Sequence, residues 1–171
     1  MSLRTAFVGR ALILMVVGFT VGTTFGQPND AWLGTWTLSH AKSTLSGISG
    51  DLPRRLTRKF EKLPDGSTKV TEDGFGPRGR HLHSETVTRM DGVEVPVHNI
   101  EPPLEPSTTR VTMIDRLIDD HTIEAVNKID GQASTPFRLV LSRDGKTVTQ
   151  TVTGQNAKGE TIQDVVVFDR Q

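Results

Sequence analysis

His81, His83 and Glu85 are the residues whose types and spacing come nearest to chemistry. They occupy alternate positions of a segment that reads as a β-strand. Successive strand side chains point to opposite faces, so these three share one face. Two imidazoles and a carboxylate placed this way offer zinc or another divalent ion three ligands, with one or two positions left open for a reaction. A plainer reading fits the same spacing: His81, His83, Glu85 and Arg89 form a solvated face while Leu82 and Met90 point inward.

Other groupings carry less. Asp119-Asp120-His121 and Ser142-Arg143-Asp144 combine hydrolase residue types, but both fall in turns, where Asp and Ser are favoured because they bond the local backbone. No Gly-x-Ser-x-Gly elbow is present, since Gly47-Ile48-Ser49-Gly50 lacks a spacer. Nor is there a phosphate loop, a dinucleotide fingerprint or a calcium loop. No catalytic residue and no cofactor is therefore assigned. The chain has no cysteine, which excludes a disulfide, a thiolate metal site, a cysteine nucleophile and the lipid-attachment residue of a lipoprotein.

The segment Arg54-Arg55-Leu56-Thr57-Arg58-Lys59-Phe60-Glu61-Lys62 is a basic run that suits an anionic surface. Charges of this kind also guard exposed edge strands against pairing with other chains, and that is the role expected of it here. Over 171 residues the basic and acidic residues balance at 20 each. Residues 1–26 hold two of the basic ones, Arg4 and Arg10, and no acid, leaving 18 against 20 and a net of −2 for the rest. Such a balance gives no electrostatic footprint for nucleic acid or an anionic membrane. The remaining aromatics, Trp32, Trp36, Phe60, Phe75, Phe137 and Phe168, are too sparse for a base-stacking or carbohydrate platform.

Arg4 and Arg10 precede an apolar run, Ala11 to Phe19, and small or polar residues follow from Thr20 to Gly26. This three-part order is that of a secretory signal helix cleaved after Gly26. A retained anchor is the alternative, but a spanning helix needs about twenty apolar residues. The expected organisation is a signal peptide over 1–26 and one domain over 27–171, exported to the periplasm or the medium, with no membrane span after cleavage.

Beyond the leader the chain is punctuated by turns: Pro64-Asp65-Gly66, Asp73-Gly74, Asp91-Gly92, Asp130-Gly131, Asp144-Gly145 and Asn156 to Gly159. Asp-Gly suits hairpins because both central residues of a type I′ turn take φ > 0. Between turns, apolar residues recur at every second position. Val148 and Val152 oppose Thr147, Thr149, Thr151 and Thr153, and Phe137, Leu139 and Leu141 share a face. Ile162, Val166 and Phe168 do the same. The pattern predicts strands over 32–38, 54–62, 67–72, 80–90, 93–98, 108–115, 121–129, 134–142, 146–154 and 161–169. Ala41–Ser46 makes one helical turn, Gly47–Pro53 is loop, and the proline-rich 99–106 is a connector. Pro96 marks an edge, a strand start or a bulge. The fold class is all-β, an antiparallel meander of about eight to ten strands.

Trp32-Leu33-Gly34-Thr35-Trp36-Thr37-Leu38, followed by Ala41-Lys42-Ser43, resembles the first strand of lipocalin-like domains. The resemblance implies that the Gly-x-Trp indole plugs the closed end of a barrel or half-barrel, with a basic residue of the last strand, here Arg170, packed over the ring. A wider resemblance runs over most of 32–170, to small exported bacterial proteins of unknown function with a lipocalin-like fold. It rests on Gly34-Thr35-Trp36, Lys42-Ser43, His83-Ser84-Glu85, Asp91-Gly92-Val93-Glu94-Val95-Pro96, Ile118-Asp119-Asp120-His121-Thr122, Ser142-Arg143-Asp144-Gly145-Lys146 and Gly159. It implies fold and export.

Three functions follow. The first is a non-enzymatic barrel binding a small apolar or amphipathic ligand in a cup lined by Trp36, Val111, Met113, Ile123, Leu139, Leu141, Val148, Val152 and Phe168. The second is an envelope interaction module that binds another protein through a sheet edge or face, using the charged second strand and the 99–106 connector. The third is a metal-dependent enzyme built on His81, His83 and Glu85. The sequence sets no oligomeric state.

Overall fold

The structure, a computed structural model, describes residues 30–171. The leader expected over 1–26 lies outside the described residues. From there on the chain is a closed antiparallel β-barrel of ten strands. In chain order the strands begin with β1 (Gly34–Leu38), β2 (Arg55–Lys62), β3 (Thr68–Phe75), β4 (His81–Thr88), β5 (Asp91–Glu101), β6 (Val111–Asp119) and β7 (Thr122–Ile129). A two-residue strand, β8 (Gln132–Ala133), only extends β7 into a hairpin and is not counted among the ten. The barrel is completed by β9 (Phe137–Leu141), β10 (Thr147–Gln155) and β11 (Thr161–Arg170). Each barrel strand pairs with its neighbours in sequence, and β11 returns to pair with β1. Sheet closure leaves no long edge to protect, the problem that an open antiparallel sheet would face.

The turn chemistry explains the meander. Asp130 and Gly131 both take positive φ (49° and 80°), the pairing a two-residue hairpin requires. Inward positions then alternate along each strand. On β10, Val148 and Val152 are buried while the threonines between them lie outward, half-buried or exposed.

One end of the barrel is packed solid. A short 3-10 turn, Asp30–Trp32, lies across it and buries Trp32 completely. The Trp32 indole N–H donates to Asp120 O (2.9 Å), and the Trp36 indole donates to Trp32 O (3.0 Å). Trp36, Phe60, Met90, Leu141, Val148 and Phe168 complete the plug. The Arg170 guanidinium stacks 4.2 Å from the Trp36 ring, and its Nη1 donates to Leu33 O (2.8 Å). A side chain at Gly34, whose φ is +121°, would meet that same Nη1 at 3.1 Å, which accounts for glycine two residues before the tryptophan.

Three expectations need correction. Asp73-Gly74 is not a turn: β3 runs through it to Phe75, and both residues pair with β2 and β4. β2 is not an edge: it pairs with β1 on one side and β3 on the other, so its charges guard nothing and cannot offer a free edge to a partner. The 99–106 connector begins too early, because β5 continues to Glu101. Pro96 sits inside this strand opposite Thr112, and the irregularity moves to its flanks, where register shifts with β4 and β6 absorb it.

Candidate functional site

Toward the other end the barrel is hollow. The interior holds a cavity of ≈ 630 Å³, bounded mostly by apolar side chains from the strands and by Leu45, Ile48 and Leu52 of the β1–β2 connection. Of the candidate cup residues, Val111, Met113, Ile123, Leu139, Val152 and Phe168 border this cavity. Trp36, Leu141 and Val148 do not reach it. They are buried in the plug below, with at most 2% of their surface exposed.

The β1–β2 connection is stitched across the open end. Thr44 exchanges two backbone bonds of 2.7 Å with Val165, and Val167 N donates to Ser43 Oγ (3.0 Å). Its helical turn is shorter than expected, His40–Lys42. The main fastening is Asp164, an inward residue of β11 that is fully buried. Its carboxylate accepts the backbone N–H groups of Ser46 (2.5 Å), Gly47 (3.1 Å) and Ser49 (2.6 Å). Burial works to raise this carboxyl, but those donors outweigh it and hold Asp164 below the ordinary carboxylate range. Ile48 then packs on Gly154, where a Cβ would touch it at 3.3 Å.

Among the described residues, four charged ones line the cavity: Asp51, Arg58, Glu72 and Asp115. Arg58 projects inward from β2 because it alternates with Leu56 and Phe60. Its Nε and Nη2 lie 2.7 and 2.5 Å from Glu72 Oε1, Nη2 donates to Gln150 Oε1 (3.0 Å), and the guanidinium sits 4.8 Å from the Phe168 ring. Glu72, Arg58 and Gln150 thus form a polar bar running from β3 to β10. Arg58 Nη1 is buried with no partner among the described residues.

Asp115 is solvated differently. Only 3% of its surface is exposed, and the Thr88 hydroxyl donates to it at 2.5 Å. Thr88 Oγ1 in turn accepts from Met90 N (2.9 Å), which ties the carboxylate to the plug. Burial pushes its pKa up to about 6, against the pull of the Thr88 bond and its own backbone N–H, and the charge of Asp91 adds to the rise. Among the described residues, no cation is one of the groups that shift it.

His81, His83 and Glu85 lie on the outer face of β4, as their spacing required. There they serve a row of surface contacts. His81 sits 2.6 Å from Glu101 and 2.9 Å from Asp73, and His83 Nδ1 sits 3.2 Å from the same Asp73 oxygen. The hydrogen bonds to Glu101 and Asp73 raise His81 above its usual pKa. Glu85 pairs with Lys69 (2.5 Å), accepts from Asn99 (2.6 Å) and lies 3.9 Å from His83 Nε2. Among the described residues, no three His, Asp or Glu side chains are placed to hold a metal ion. Asp119 and Ser142 make the short turn bonds expected of them, to His121 N (2.8 Å) and to Asp144 (2.6 Å).

The inward charges Arg58, Glu72, Asp115 and Asp164 are not among the residues that motif spacing picks out. A signal for three of them exists in the sequence all the same. Leu56-x-Arg58-x-Phe60, Met113-x-Asp115-x-Leu117 and Ile162-x-Asp164-x-Val166 each set a charge in the inward phase of an alternating strand. No protein-family model matches the chain, and neither a curated protein nor a solved structure is found to be similar to it.

Proposed function

We propose that this protein is an exported, non-enzymatic carrier that holds a small apolar or amphipathic ligand inside its barrel. The cavity carries the reading. At ≈ 630 Å³ it falls within the range of about 300–1,000 Å³ typical of small-molecule sites, with apolar walls and a few convergent polar groups. The division of the barrel supports it too. The plug supplies a packed core, so the hollow half is not needed to close the fold. Export rests on the leader read over 1–26. The lipocalin-like resemblance of the Gly34-x-Trp36 strand, with Arg170 stacked on that indole, agrees with a ligand-holding barrel.

Native mass spectrometry of the protein isolated from the periplasm or medium tests this directly. The expected result is a co-purifying mass of lipid size, released on denaturation. Bare protein that also fails to take up the apolar reporter N-phenyl-1-naphthylamine, read as blue-shifted fluorescence, overturns it.

A further inference from the structure

We infer that the ligand this cavity takes is cationic: an amphipathic amine whose ammonium group pairs with Asp115 while its hydrocarbon fills the apolar cup. The inference rests on the carrier reading and names the chemical class of its cargo. Its basis is charge complementarity. Among the described residues, the lining contains one base, Arg58, against three acids, Asp51, Glu72 and Asp115. Arg58 and Glu72 neutralise each other at 2.5 Å, and Asp51 is exposed at the rim. That leaves Asp115 as the buried charge of the lining with no counter-ion among the described residues.

A carboxylate withdrawn from water is costly unless it is paired and hydrogen-bonded. Asp115 has a hydroxyl donor from Thr88 on β4, and the charge it feels from β5 is Asp91, of like sign. On β7 its register partner is Ala125, a small apolar residue that also lines the cavity. The site therefore favours a donor bearing positive charge. An anionic head group would instead face two acids with only one guanidinium, already engaged by Glu72. Asp115 is tied through Thr88 to Met90 of the plug, so a bound ammonium would lie at the closed side of the cavity with its tail toward the β1–β2 connection.

The test is competition against N-phenyl-1-naphthylamine by three probes of equal chain length, dodecylammonium, dodecanol and dodecanoate, each kept below its micelle threshold. A charge-assisted bond predicts that dodecylammonium displaces the reporter at a concentration on the order of tenfold lower than dodecanol, with dodecanoate weakest. Asp115→Asn, which keeps the shape and an acceptor for Thr88, should bring dodecylammonium to within about twofold of dodecanol. Dodecanol or dodecanoate competing as well as the amine on the unmodified protein overturns the inference and leaves the carrier reading standing. An amine preference that survives in Asp115→Asn overturns it as well. A reporter that never enters removes both. The ranking on the unmodified protein needs no variant to fold.

Discussion

Asp115 and Asp164 are both inward-facing, both buried and both set in strands of alternating apolar residues, yet the protein treats them in opposite ways. Asp164 receives three backbone N–H groups from a single stretch of the β1–β2 connection, and these hold its carboxyl low. Asp115 has one hydroxyl and its own backbone N–H, feels a second acid nearby and is pushed up by burial to about 6. A buried charge that serves the fold is met by donors from the fold. One left short of partners beside a cavity is a group for something outside the fold to meet. The two arginines repeat the contrast. Arg170 places Nε, Nη1 and Nη2 on the carbonyls of Gly145, Leu33 and Ala31 above Trp36. Arg58, above Phe168, keeps one nitrogen without a partner among the described residues.

The comparison breaks most sharply at Asp164→Ala. Removing the carboxylate orphans three backbone donors, each worth about 1–3 kcal/mol if left buried, although the freed connection can recover water at part of them. The expected loss is about 3–4 kcal/mol in urea denaturation. Thermal midpoints of domains this size move roughly 2–4 °C per kcal/mol, so the Tm should drop by about 6–16 °C. A loss below about 1 kcal/mol would mean that the connection is held by its strand bonds and not by Asp164.

Asp115→Asn should act in the other direction. The folded state binds a proton at Asp115 more tightly than the unfolded chain, whose carboxyl keeps its ordinary value of 3.8. Stability from this group is therefore full below pH ~4 and lost as pH rises through 6, by roughly 3 kcal/mol at most from a shift of about two units. The difference between variant and unmodified protein should be small at pH 4. It should grow in the variant's favour up to pH 7, as read from urea midpoints at successive pH values. Asp164, held low, gives the opposite slope: its contribution stands above pH ~4 and fades as pH falls through its lowered pKa. A flat difference curve for Asp115→Asn would show that the unmodified carboxylate is better solvated than its partners suggest.

The barrel is legible in the sequence because its signals are local. Asp130-Gly131 is a turn whatever surrounds it, and Phe137, Leu139 and Leu141 share a face once they are in a strand. The Arg170–Trp36 stack is legible through the resemblance to lipocalin-like first strands, since those residues are far apart in the chain. Arg58 is harder, because a run of five basic residues in nine looks solvated by composition even though Leu56 and Phe60 fix its phase inward. Asp164 and Asp115 carry the same clue, but phase alone cannot separate their roles. Those roles depend on Ser46, 118 residues from Asp164, and on Thr88, 27 residues from Asp115. The cavity is further still from the sequence, because it is the difference between the width of ten closed strands and the volume of the side chains filling them.

The mildest change sharpens the same comparison. Asp164→Asn keeps the side chain's shape and leaves one oxygen able to accept from Ser46 and Gly47, which share Oδ1. The amide nitrogen then faces Ser49 N, which bonded Oδ2 at 2.6 Å, and two donors oppose each other. One bond is lost and two lose their charge assistance, so the variant should fall short of the unmodified protein by about 1–2 kcal/mol, between the alanine variant and no effect. Hydrogen exchange locates the change: the Ser49 amide should lose protection first, while those of Ser46 and Gly47 keep most of theirs. Uniform loss across all three amides would show that the negative charge of Asp164, not the count of its acceptors, fastens the connection over the barrel's mouth.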